Sequence, residues 1–107
     1  MNLNDWRDAL HKTASDKGFW DEPANFGEKI ALVHSELSEA LEEARAGRAP
    51  NELRFEDGKP EGIPAELADV IIRVLDMCGH YEINIQSAVA VKVSYNASRP
   101  PKHGKEF

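Results

Sequence analysis

The segment from Pro64 to His80 limits the possible fold more than any other part of the chain. Read at about 100° per residue, Leu67, Ala68, Val70, Ile71, Val74, Leu75 and Cys78 cover more than half of a helical circumference. The charged residues and the histidine, Glu66, Asp69, Arg73, Asp76 and His80, crowd one narrow strip. A helix apolar on most sides has to be covered by several neighbours. Its polar strip then points either at a slot of solvent or at an internal cleft. Pro64 suits the first turn of this helix and Gly79 stands near its end.

The neighbours are legible on either side. A first helix is expected over about Asn4 to Lys17, with Asp5 and Asp8 in its first turn, Leu3, Trp6 and Leu10 on one side, and Gly18 ending it. A second starts near Asn25, whose side chain can cap it while Glu28 sits at the third position, and continues through Ala46 to stop at Gly47. Its apolar stripe, Phe26, Ile30, Val33, Leu37, Ala40, Leu41 and Ala44, reads as the core face. Glu36, Glu39 and Glu43 fall on an adjoining stripe with Lys29 and Leu32. From Gly47 to Gly62, Pro50, Gly58, Pro60 and several charges predict a long surface loop, a kind that is often functional.

Asn84 to Ala97 alternates like a strand and is rich in β-branched residues, yet a lone strand would have no partner, so a helix is expected. Ser98 to Phe107, with Pro100 and Pro101, reads as a basic tail. Together these elements predict an all-α, four-helix bundle in a single domain spanning residues 1–107.

Composition narrows the partners. A chain of 107 residues buries only about two-thirds of its unfolded surface, so oligomerisation would help it. With 41% hydrophobic and 30% charged residues it is neither a disordered nor a membrane composition. A net charge of −6 argues against a nucleic-acid polymer as partner. The charge is uneven, because Lys92, Arg99, Lys102 and Lys105 face only Glu106 near the end and leave the rest of the chain more acidic still. Cys78 has no second cysteine to pair with and sits in an apolar run, which predicts a buried thiol and a reducing, cytoplasmic setting. No apolar stretch approaches the roughly 20 residues of a membrane span, and Met1-Asn-Leu-Asn-Asp does not read as a leader.

Two carboxylates three residues apart on a helix share a face and can grip one ion. Glu36 with Glu39 is one such pair and Glu66 with Asp69 is another. If the two helices pack side by side, four acids converge and repel unless protonated or neutralised by a cation. A hard divalent ion such as Mg²⁺ suits carboxylates that share it with phosphate oxygens. The plainer reading is a set of solvated acids, with Glu66 favoured by the helix dipole and Arg73 pairing with Asp69 or Asp76. Glu42 and Glu43 read as solvated surface.

Lys92 and Asn96 share a side of the fourth helix with Ile85, Ala88 and Val89, and a lysine inside an apolar surface needs a partner. The acidic cluster and a phosphate are both candidates. Phosphate is favoured because Arg99, Lys102, His103 and Lys105 follow; a frayed basic tail is the alternative. His11, His34 and His80 couple to no nucleophile by spacing and read as structural, and no basic residue beside Cys78 activates it. With neither a Walker loop nor a Gly-x-Gly-x-x-Gly run, a triphosphate would be held by metal and side chains. Phe19 and Trp20 admit two readings, a stacking surface for a base and a hydrophobic plug.

In order, Glu36-Leu-Ser-Glu39, Glu66-Leu-Ala-Asp69, Lys92 with Asn96, and Arg99-Pro-Pro-Lys-His-Gly-Lys105 resemble the MazG-like all-α nucleoside triphosphate pyrophosphohydrolases over roughly Asn25 to Phe107. The resemblance implies that Glu36, Glu39, Glu66 and Asp69 are magnesium ligands, Mn²⁺ being the alternative ion, with one glutamate of the first pair helping to activate water. It further implies that Lys92, Asn96, Arg99 and Lys105 contact phosphates or sugar; Lys29 and Trp20 are weaker substrate-binding candidates. It also implies a homodimer or homotetramer whose sites can draw on two chains, and hydrolysis to monophosphate and pyrophosphate as nucleotide-pool housekeeping. A catalytically silent helical module that holds a metal or a partner is the reading from another class. A di-iron bundle is disfavoured, since it needs Glu-x-x-His pairs that this sequence lacks.

Overall fold

The computed structural model describes residues 1–101; Lys102, His103 and Lys105 of the expected tail lie outside the described residues. The elements in order are α1 (Leu3–Asp16), α2 (Phe26–Arg45), β1 (Arg54–Glu56), β2 (Lys59–Glu61), α3 (Ile63–His80) and α4 (Ile85–Ser98). The fold is mostly helical. Among the described residues no helix is long and apolar enough to cross a membrane.

Local chemistry sets the helix starts. The Asn2 side chain accepts the Asp5 backbone N–H while Asp5 reaches back to the Asn2 backbone, a reciprocal cap that opens α1. Asn25 accepts from the Glu28 backbone N–H to open α2, and Asn84 from that of Ser87 to open α4. The fourth segment is thus helical despite its strand-like alternation. Gly62 precedes α3 at φ 111°, a backbone region that costs a glycine little, and a Cβ there would collide with the Glu52 carbonyl.

α3 lies between α1 and α2, and α4 packs on α1. Ala14, Ala40, Ile63, Leu75, Met77 and Cys78 form the buried core, so the predicted buried thiol is found. Close approach of α1 to α3 depends on Gly79: a Cβ there would stand 2.5 Å from His11 Cβ and 3.0 Å from the Arg7 carbonyl oxygen.

Two expectations need correction. The stretch read as a surface loop contains an antiparallel hairpin, pairing Arg54 with Glu61, Phe55 with Pro60 and Glu56 with Lys59. Asp57 and Gly58 turn it at φ 52° and 81°, the positive-φ pair that a tight two-residue hairpin turn requires. A small two-stranded sheet therefore joins the four helices. The second correction concerns α2, whose predicted core face is largely uncovered: Phe26, Ile30, Leu37 and Leu41 are exposed, Leu41 by 57%. The sheltered stripe is instead Lys29, Val33, Glu36, Ala40 and Glu43, which keeps Val33 and Ala40 of the expected face but puts Glu36 and Glu43 where larger apolar residues were expected.

Much apolar surface stays uncovered elsewhere. Ile71 on α3 is 59% exposed, and Val91, Val93 and Tyr95 on α4 are exposed by 64%, 62% and 54%.

Candidate functional site

The rotation of α2 decides the chemistry. Glu36 and Glu39 stand one turn apart on α2 and Glu66 occupies the first turn of α3, and one carboxylate oxygen from each lies within 4.8 Å of the others. Glu36 is only 8% exposed. Asp69, one turn further along α3, lines the same cavity of about 650 Å³ without joining the triplet. Glu66 also belongs to a second triplet, with Glu43 from α2 and Glu61 from β2. Glu43, read from the sequence as solvated, is therefore part of the cavity.

Crowded carboxylates must share protons or find cations. Burial raises the Glu66 carboxyl, and a hydrogen bond and charge from Glu39 with the charges of Asp69 and Glu36 add to it, pushing its pKa up to about 7. Burial and the Glu36 charge likewise raise Asp69, partly offset by Arg73 and Lys59. Burial would raise Glu36 too, but hydrogen bonds from Arg73 and Glu39 and the guanidinium charge hold it below its ordinary value. Arg73 Nε donates to Glu36 Oε1 at 2.9 Å, so this arginine pairs with the buried glutamate and not with Asp69 or Asp76 as the sequence suggested. The donor set consists of carboxylate oxygens from two helices, which could hold a hard divalent cation and offers nothing to a soft metal.

Asp76 serves a different task. It accepts from Trp20 Nε1 at 2.9 and 3.1 Å and pairs with His11 Nδ1 at 2.9 Å. His80 stacks on the Trp20 ring at 3.9 Å, and the Lys29 ammonium stands over that ring at 4.0 Å. His11 and His80 are thus packed into an aromatic cluster, and Trp20, expected as a substrate contact, already has ring partners within the chain. A second cavity, of about 500 Å³, is lined by Leu10, Phe19, Leu32, Ile72 and Met77, with Lys29 among them. Glu36 and Asp69 belong to both cavities.

The expected phosphate-binding cations are placed elsewhere. Lys92, Asn96 and Arg99 lie on or just after α4 and line neither cavity, and Lys105 is outside the described residues. Lys92 Nζ and Arg99 Cζ each approach the Tyr95 ring at 5.5 Å. The cations that do line the acidic cavity are Arg48, Arg54 and Lys59 from the connection between α2 and α3. Sequence reading missed them because that connection was taken as a loop; the Asp57-Gly58 turn signal could have revealed that Lys59 is folded back toward the acids. No protein-family model, no curated protein and no solved structure matches the chain.

Proposed function

We propose that this chain is a Mg²⁺-dependent nucleoside triphosphate pyrophosphohydrolase of the MazG-like kind, acting as a homodimer or homotetramer on a nucleoside or deoxynucleoside triphosphate. The observation that carries the proposal is the convergence of Glu36, Glu39 and Glu66 from two helices, with one of the three held protonated up to about pH 7. A site that keeps a proton because its carboxylates are buried and crowded together is one that a divalent cation can discharge.

Glu36, Glu39, Glu66 and Asp69 would hold the ion. Bound there, Mg²⁺ supplies neutralisation of developing phosphate charge and a water of lowered pKa. Glu39, the exposed member of the triplet, is open to accept a proton from an attacking water. Water oxygen bonds to the α-phosphorus, the bond from that phosphorus to the α–β bridging oxygen breaks, and pyrophosphate leaves with that oxygen. Two cavities meeting at Glu36 and Asp69 support a division of labour, the polar one for phosphates and the apolar one for the nucleoside. Assembly is supported by the uncovered apolar faces of α2, α3 and α4, and a second copy would also be the source of Lys92, Asn96 and Arg99 at the acids.

One observation favours the silent-module alternative: Arg73 already supplies a counter-charge to Glu36. Incubation with a panel of ribo- and deoxyribonucleoside triphosphates and Mg²⁺ separates the two. Equal release of monophosphate and pyrophosphate is expected. Silence across the panel favours the binding module, and release of a diphosphate with orthophosphate contradicts the proposed bond.

A further inference from the structure

The β1–β2 hairpin is a charged arm laid over the acidic cavity. Residues two apart on a strand share a face, so Arg54 and Glu56 on β1 and Lys59 and Glu61 on β2 form one ionic face, with Phe55 and Pro60 on the other. Arg54 anchors it, donating to Glu43 at 3.2 and 3.3 Å and to Glu56 at 3.3 Å. Arg48 reinforces the anchor, 3.8 Å from Glu43 and 3.6 Å from Glu52. Both arginines are committed to building the wall.

Lys59 differs from them. Its ammonium pairs with a single carboxylate, Glu61, at 3.3 Å, and its side chain is 76% exposed against 19% for Glu61. Lys59 lines the cavity together with Glu61, Glu66 and Asp69, and the hydrogen bond and charge of Glu61, with the charges of Glu66 and Asp69, raise its pKa. Its flexible stem lets the ammonium exchange one anionic partner for another, and a lysine point charge suits a phosphate oxygen. A triphosphate whose α-phosphate lies at the carboxylates must place two further phosphates in this cavity, where repulsion from the acids has to be offset.

We infer that Lys59 is the residue that grips the departing pyrophosphate, leaving Glu61 for a phosphate oxygen when the nucleotide enters. This assignment deepens the pyrophosphohydrolase proposal and rests on it for the identity of the substrate. The test is calorimetric titration of inorganic pyrophosphate, with Mg²⁺ present, into the full chain and the variants Lys59→Ala, Lys59→Arg and Lys12→Ala. Lys12 is the control, an equally exposed lysine paired with Asp16 on α1. Losing one charge-assisted contact should weaken pyrophosphate binding about tenfold in Lys59→Ala, with Lys59→Arg and Lys12→Ala close to the parent. Unchanged affinity in Lys59→Ala, an equal loss in Lys12→Ala, or no pyrophosphate binding by the parent would overturn the assignment. Triphosphate hydrolysis by the parent, measured alongside, separates the two ideas. Hydrolysis with unchanged pyrophosphate affinity removes Lys59 alone, whereas a Lys59-dependent affinity in a protein that hydrolyses nothing removes the hydrolase alone.

Discussion

Glu66 sits where two carboxylate triplets overlap, and its ionisation couples the acidic site to the stability of the chain. A carboxyl whose pKa rises on folding, here from 4.5 to about 7, makes the folded state the better proton binder between those values. Its contribution to stability is therefore full below about pH 4.5 and is lost as the pH climbs through about 7. Glu36, held below its ordinary value, works in the opposite sense at lower pH. Comparison with Glu66→Gln isolates the first effect. In metal-free protein, the urea midpoint should fall between pH 5 and pH 8 more steeply in the parent than in Glu66→Gln, and Mg²⁺ should restore the parent at pH 8. Equal slopes would show that Glu66 does not carry the strain of the cluster.

The elements show which signals in a sequence are self-sufficient and which depend on partners. All five members of the charged strip on α3 have partners or a cavity: Glu66 and Asp69 line the acidic cavity, Arg73 bonds Glu36, Asp76 holds Trp20 and His11, and His80 stacks on Trp20. That strip was legible because an apolar helix leaves its polar residues one direction to face. The start of α2 was legible because Asn25 caps it locally, whereas the matching caps at Asn2 and Asn84 went unread. The orientation of α2 was not, because the most apolar stripe of a helix need not face its own chain. Here the Glu36–Arg73 pair and the small Ala40 face α3, while Leu37 and Leu41 look outward. The hairpin escaped because its strands are three residues long and mostly charged, so no apolar alternation marks them. Asp76 ties α1, the segment before α2 and α3 at one point. Asp76→Ala leaves the Trp20 indole N–H and His11 without their acceptor, which should cost about 2 kcal/mol in urea unfolding and alter the near-UV dichroism of the tryptophans. A midpoint and spectrum like the parent's would deny it that role.

For the whole molecule, the uncovered apolar surface is the dominant fact. α4 spreads its apolar residues around the helix among Gln86, Lys92 and Asn96, and none of its residues is buried, leaving surface that the proposed assembly would cover. Sedimentation should find a dimer or tetramer, and Leu41→Glu with Ile71→Glu should shift it to monomer while the helical dichroism persists; a parent that sediments as a monomer would remove assembly from the account. Beneath assembly and hydrolysis alike lies the claim that carboxylates from α2 and α3 share one hard cation. Electron paramagnetic resonance of Mn²⁺ tests it most directly. At pH 7.5 the parent should quench the signal of the free ion, excess Mg²⁺ should release it, and Glu39→Gln should fail to quench it. A free-ion signal left undiminished by the parent would contradict the account.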